Sequence, residues 1–413
     1  MTFEISPNQS PPDGTPADER PSHHPTNAQH SITIDLSVRE AVRELLREPR
    51  FLRLLHVFTK NQAPALKEAA LLANTESEFQ LNLCCGLLTA ILERTAKQVT
   101  LSGVEQVGES PGCLYISNHR DIFLDSAILN RMLLERGMET PHVVIGDNLL
   151  KSTWLRPFYR LCRAIVVQRE LKGKELFEHS LRISEFVRDA IAQGEPVWIA
   201  QRSGRTKDGF DRTEPALLRM LLLSYERTPE VKNHPFYVVP VAISYEIEPC
   251  DVFKAATSLG ARTKNASSDR ARHDAANILR GLVQPKGRIA LSIRPRIILD
   301  NSEARASNRA DKIATLANQV DREIISGYKL WPTNYIACDI IHGSREYEDY
   351  YSSDESFEFI NYIERRAREI EAPIESARQA LFELYARPVL AEQAAQAHSK
   401  PLNSDPIVEM TPR

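Results

Sequence analysis

The sequence predicts an α/β fold, a mostly parallel central sheet flanked by helices, with helical N- and C-terminal extensions. Three observations predict it. Between residues 101 and 300, short runs rich in β-branched residues alternate with amphipathic stretches, the pattern of strands joined by crossover helices. On either side, at 34–100 and 301–392, apolar residues recur three and four apart, as on the buried face of a helix. Composition is globular: 42% of the 413 residues are hydrophobic and 26% charged, in a length that suits two or three domain-sized units.

Residues 1–33 hold six prolines among Ser, Asn, Asp and His. They bury too little to offset their ordering entropy, and a disordered tail is expected. His23 and His24 lie there and read as solvated rather than metal-bound. The helical region 34–100 is carried by VREAVRELLREPRFLRLLHVF and FQLNLCCGLLTAILERTAKQV, cut into short helices by Pro49 and Pro64. Strands are predicted at CLYIS (113–117), HVVIG (142–146), AIVVQ (164–168), VWIA (197–200), YVVPVAIS (237–244) and RIALSI (288–293). Gly137 and Gly194 stand where helix C-caps belong. The C-terminal helical region is clearest in FINYIERRAREIEAPIESARQALFELYA. SREYEDYYSSDESFEF, with six acids against one base, reads as a solvated face or loop, and 393–413 as a loose tail.

Several function classes fall away. Lys and Arg number 52 against 55 Asp and Glu, a net charge of -3, which argues against nucleic-acid binding but permits a local basic patch. Six cysteines without CxxC spacing give no zinc site or disulfide framework and fit a reducing cytoplasm. Adjacent Cys84 and Cys85 read as packing residues. The longest apolar runs, such as LLRMLLL (217–223), fall far short of the roughly 20 residues that span a bilayer. The opening MTFEISPNQSPPDG has neither a basic nor an apolar leader region, so no secretory signal is expected. Membrane contact is then peripheral.

SNHRDIFLD (117–125) follows a predicted strand directly and opens a predicted helix. Such a junction is the carboxyl edge of a sheet, where α/β folds place their chemistry. His119 has two carboxylates close by, Asp121 and Asp125. A carboxylate on one imidazole nitrogen holds the ring in a single tautomer and makes the other nitrogen a stronger base toward an alcohol. HRD is also a protein-kinase motif, but Ser126 stands where that loop needs Asn, and no Gly-rich loop or DFG is present. The kinase reading fails.

A second strand leads into IAQRSGRTKDG (199–209). Arg202 and Arg205 can clamp a phosphate by bidentate hydrogen bonds, Lys207 can add a point charge, and Gly204 lets the backbone approach. Over 151–210, twelve Lys and Arg face seven Asp and Glu, a local excess of base in an acidic chain.

Together these residues resemble the glycerophospholipid acyltransferase family over about 101–300. That family's first motif is Asn-His, four variable residues, then Asp; Asn118 and His119 match. Five residues, not four, separate His119 from Asp125, and Leu124 holds the four-residue position. One added residue turns a helical side chain by about 100°. Asp125 therefore meets His119 only if the loop before the helix is one residue longer. Asp121 is the other candidate, or else the helix N-cap. RSGR resembles the third motif, with Ser203 where the family has Glu. GDNLLKSTWLRPFYRLCRAIVVQR resembles the second, with Lys151 and Arg169 as the matching cations. VVPVAISYE (238–246) resembles the fourth, a strand that helps shape the acyl pocket. Trp154, Leu155, Phe158 and Tyr159 are candidates to bound an acyl groove or to sit in the core.

The resemblance implies a glycerolphosphate acyltransferase-like fold. It implies transfer of a fatty acyl group from acyl-CoA or acyl carrier protein to a hydroxyl of glycerol phosphate or a lysophospholipid, in the cytoplasm or peripherally on the inner face of the membrane. His119 is then the base and Asp125 its partner, with Asp121 as second choice. Asn118, Arg120, Lys151, Arg169, Arg202, Ser203, Gly204, Arg205 and Lys207 are the substrate-binding candidates. No metal or bound cofactor is expected, because the thioester is already activated. Ser203 and the longer spacing favour one alternative, a decayed lipid- or acyl-carrier-binding protein of the same fold. Transfer to an acceptor without phosphate is another.

Overall fold

Prolines and caps cut the N-terminal helices short. α1 (Val38–Leu45) starts on a capping box, in which Ser37 and Glu40 satisfy each other's backbone N–H. α2 (Pro49–Thr59) and α3 (Ala63–Leu71) carry Pro in their first turn, where its missing N–H costs nothing. α4 (Glu76–Phe79) passes through a π-turn, Gln80–Cys84, into α5 (Cys85–Thr95). The computed structural model describes residues 32–107, 112–224, 236–263, 279–299 and 309–399. The predicted disordered segment, with His23 and His24, lies outside the described residues except at its end, where Ile32 O accepts from Val166 N at 2.8 Å.

The helical region ends earlier than expected. β1 (Ala96–Ser102) follows α5 directly and pairs in parallel with β7 (Gly287–Ile293) at one edge of the sheet. Its sequence, AKQVTLS, exposes alternate residues, as an edge strand does. The other strands are β2 (Leu114–Ser117), β3 (His142–Gly146), β4 (Ala164–Val167), β5 (Val197–Ala200), β6 (Phe236–Tyr245) and β8 (Ile297–Leu299). The order is β1-β7-β6-β2-β5-β3-β4, with β8 also on β6. β6, β2, β5, β3 and β4 run parallel, and β7 and β8 lie antiparallel to β6. β2 is buried at every position, and a strand covered on both faces must be apolar throughout. Pro240 survives within β6 because it falls between the β8 pairing, which ends at Val238, and the β7 pairing, which begins at Val241.

Helices cover both faces. α1–α5 pack with α6 (Leu124–Leu134) and α7 (Arg156–Leu161) on the face that presents Tyr115, Val239 and Val241. α8 (Gly173–Ala192), α9 (Pro215–Leu221) and α11 (Arg309–Ser326) cover Leu114, Ile116 and Val238 on the other. A separate apolar cluster joins α10 (Asp251–Ser258), α12 (Pro332–His342), α13 (Ser353–Ala367) and α14 (Ile374–Ser399). The acidic segment proves partly helical. Ser352 caps α13, and Asp354 and Glu355 lie in its first turn, where the helix dipole favours negative charge. α14 continues to Ser399, beyond the expected boundary at 392. Among the described residues, no helix is long and apolar enough to cross a membrane.

Candidate active site

β2 delivers the loop that carries His119. The strand leaving β2 by α6 returns on the β5 side, whereas β5 connects to β6 on the other. A crevice opens at such a switch point, outside the carboxyl ends of the strands. His119 lies two residues past the end of β2, with its side chain 14% exposed, and Asp125 lies in the first turn of α6, 2% exposed. Asp125 Oδ2 is 2.9 Å from His119 Nδ1. The same oxygen accepts from Arg120 N at 2.7 Å and Asp121 N at 2.9 Å, and Oδ1 accepts from Tyr245 Oη at 2.8 Å. An ionised carboxylate only accepts, so Nδ1 carries the proton and Nε2 is the basic nitrogen. Trp198 sets its ring edge-on to the imidazole, 6.0 Å between centroids. Burial and the Asp125 charge push the Tyr245 hydroxyl well above its ordinary pKa, so it remains a donor.

The longer spacing does not part the pair. α6 begins only at Leu124, and the two backbone N–H groups that point at Asp125 curl residues 120–123 back toward it. Asp121 faces the other way. Its Oδ1 accepts from Phe123 N and Leu124 N, both at 2.8 Å, and so caps α6.

Lys286, which leads into β7, is fully buried near Asp121 and donates from Nζ to Gln284 O at 2.8 Å. Burial pulls its amine down from 10.5 to about 8. Between those values the unfolded chain binds more protons than the folded one, so this group makes stability rise as pH goes from 8 to 10.5. Lys286→Met is therefore expected to stabilise the protein at pH 7 by about 1–3 kcal/mol. Melting curves of both proteins should show that gap closing by pH 10.5.

The other predicted residues divide into two groups. Asn118 is wholly buried and pins β2 to β6, donating to Ile243 O at 2.9 Å and accepting from Ile243 N at 2.8 Å. Arg120 is buried too, its guanidinium held by Asp211 and Glu248 and its carbonyl by Lys254 Nζ at 2.7 Å. Both side chains hold the loop in place and are not offered to a ligand. Both were expected among the substrate-binding residues, and neighbours distant in sequence occupy their side chains here.

The basic turn keeps unpaired donors. It follows β5, beside β2, and Thr206 N bonds to His119 O at 2.9 Å. Arg202 Nη1 donates to Phe210 O at 3.2 Å, and Arg205 lies over the Phe253 ring at 5.8 Å. Arg202 Nε and Arg205 Nη1 are buried without a hydrogen-bond partner. Gly204 has φ +77, a conformation that favours glycine. Ser203 and Lys207 are exposed. Lys151 and Arg169 are exposed at the carboxyl edge beyond β3 and β4, and Arg169 lies across Gly146 so closely that a Cβ there would come within 2.3 Å of its Nε.

An apolar cleft runs along α6 from Ile122 and Phe123, beside the loop, to Cys84 and Cys85. Phe158 and Tyr159 line it, whereas Trp154 opens onto a different surface with Glu44 and Glu48. Leu155 packs against the core. The cleft sits against α6 and α7 and not against the VPV strand, which faces inward from the middle of the sheet.

Residues 98–244 match the family model described as Acyltransferase. Similar curated proteins are named glycerol-3-phosphate acyltransferases. A glycerol-3-phosphate acyltransferase of Xanthomonas axonopodis pv. citri is 29% identical over 164 residues, 39% of this chain and 18% of the relative. One of Pseudomonas fluorescens is 25% identical over 193 residues, 46% of this chain and 22% of the relative. One of Ectopseudomonas mendocina is 23% identical over 261 residues, 59% of this chain and 30% of the relative. The chain thus spans between about a fifth and a third of the length of these relatives. The crystal structure of a 1-acyl-sn-glycerophosphate acyltransferase from Thermotoga maritima shares 11% identity and a TM-score of 0.37, covering 68% of this chain and 93% of that one.

Sequence reasoning missed the hub of the site. Asp211 accepts from Asn118 Nδ2 at 3.2 Å, Thr206 Oγ1 at 2.5 Å, Tyr328 Oη at 2.6 Å and Arg120. It lies four residues past Lys207, and no local pattern marks it. Tyr245 was as hidden, being one more aromatic residue at the end of an apolar strand.

Proposed function

We propose that the protein is an O-acyltransferase that moves a fatty acyl group from acyl-CoA or acyl carrier protein to a hydroxyl of a glycerol phosphate or lysophospholipid. The His119–Asp125 pair, 2.9 Å apart at the carboxyl edge of the sheet, carries this reading. His119 Nε2 takes the proton from the acceptor hydroxyl while Asp125 balances the imidazolium that forms. The acceptor oxygen attacks the thioester carbonyl, the carbon–sulfur bond breaks, and His119 returns the proton to the leaving thiolate. The open donors of Arg202 and Arg205, with Lys207 alongside, bind the acceptor phosphate. The acyl chain lies in the cleft along α6. The thioester arrives activated, and these steps call on no metal or bound cofactor. Leu71, Leu72 and Leu81, exposed on the N-terminal helices, serve a peripheral contact with the inner face of the membrane from the cytoplasm.

A coupled assay of CoA release tests the reading. Release from acyl-CoA is expected only when a phosphorylated glycerol acceptor is added, and His119→Ala should lower it about 10²–10⁴-fold. Equal release by the variant excludes the mechanism. Equal rates with a phosphate-free acceptor would remove the anion site's role.

A further inference from the structure

The cleft along α6 is mostly apolar, with Ser126, Arg131, Asn130 and Gln80 among its lining residues. Asn130 and Gln80 line it, only 9% and 2% exposed. Gln80 Nε2 donates to Leu161 O at 3.0 Å, which fixes the orientation of its amide and leaves Oε1 as an acceptor. Asn130 Nδ2 faces that oxygen at 3.4 Å, so the orientation of Asn130 is fixed in turn. Its other atom, Oδ1, is buried with no hydrogen-bond partner. Native proteins seldom leave a buried carbonyl oxygen unpaired. A hydrocarbon chain in the cleft would keep it so, and a hydroxyl group on the chain would satisfy it.

We propose that the cleft selects an acyl chain bearing a hydroxyl group along its length, with Asn130 Oδ1 as the acceptor of that hydroxyl's hydrogen bond. The inference rests on the acyl-transfer reading. Asn130 follows Asp125 by five residues on α6, about 7.5 Å along the helix axis. The hydroxyl therefore lies down the chain from the thioester and not beside it. Ser126, one turn nearer the reacting end, also lines the cleft. A site built to bond a substrate hydroxyl rejects the analogue that lacks it, because its own polar group is then left unpaired.

The test is competition between two acyl-CoA donors of equal chain length, one unsubstituted and one hydroxylated at mid-chain, with full-length protein and a phosphorylated glycerol acceptor. The wild type is expected to favour the hydroxylated donor in kcat/KM by about tenfold, and Asn130→Leu to lose that preference. Equal kcat/KM for the two donors in the wild type overturns the proposal, since water alone would then occupy Oδ1. A preference that survives in Asn130→Leu overturns it as well. If neither donor turns over, acyl transfer itself has failed, and the cleft is judged by thermal shift with the two free fatty acids. A larger shift with the hydroxylated acid, seen in the wild type alone, supports the cleft inference without the chemistry; equal shifts reject it. Wild-type discrimination is read directly, so the test stands even if the variant folds poorly.

Discussion

Asp125→Asn is expected to lower kcat about 10²–10⁴-fold while leaving the fold nearly intact. The argument lies in what each carboxylate oxygen meets. Oδ2 faces three N–H donors, from His119, Arg120 and Asp121, and Oδ1 faces only the Tyr245 hydroxyl. An amide nitrogen on the first side would oppose three donors. On the second side it meets a hydroxyl that can rotate to accept. Asparagine therefore keeps its oxygen toward His119 and preserves the ring's placement, but it removes the negative charge that, in the proposed mechanism, stabilises the imidazolium in the transition state. Asp121→Asn is the matched control. Its side-chain hydrogen bonds go to the cap of α6, so melting temperature should fall with about 1 kcal/mol of stability and kcat should change little. Turnover at saturating donor and acceptor, measured beside melting curves, separates the two. A larger loss of kcat in Asp121→Asn than in Asp125→Asn would reassign the partner of His119.

The layered architecture was legible because burial on both faces forces β2, β4 and β5 into apolar runs with no other reading. β1 was not. AKQVTLS alternates polar residues at the sheet edge and follows a helix with no intervening turn, Ala96 serving as the helix C-cap and the first strand residue at once. β8, with three residues, is too short to show a period. At the site, His119 and its two acids stand within seven residues, so the local sequence held the candidates, and only the loop's course decided between them. Arg120 shows the opposite case. Charge beside a candidate histidine reads as a ligand contact, but Asp211 and Glu248, 91 and 128 residues away, occupy it. The pairing of Gln80 with Asn130, 50 residues apart, is equally silent. Contacts across such separations depend on topology, and no local spacing encodes them.

Asp211→Asn is expected to cost about 3–5 kcal/mol of stability, a fall in melting temperature on the order of 10 °C. Four donors converge on this 6%-exposed carboxylate, one of them a guanidinium with 4% of its side chain exposed. An amide is neutral and presents one oxygen and one NH2 group; with its oxygen kept toward Arg120 and its NH2 toward the Thr206 hydroxyl, which can rotate to accept, Arg120 still keeps a buried charge against Glu248 alone, 3.5 Å away. Breaking one side of a buried ion pair costs more than the pair's net contribution, because the remaining charge stays desolvated. The damage also reaches the chemistry. Asn118 and Arg120 flank His119, Thr206 belongs to the basic turn, and Tyr328 follows α11 from the C-terminal region, so a single carboxylate sets the distance between His119, the basic turn and the helical flank. Asp208→Asn is the contrast: its carboxylate is half-exposed and 3.8 Å from Arg202, and a surface pair of that kind contributes less than about 1 kcal/mol. Arg120→Met combined with Asp211→Leu should recover part of the stability lost by either change alone, since it removes both buried charges of that pair. If Asp211→Asn instead melts with the wild type but loses activity, Asp211 acts on the substrate and not on the scaffold.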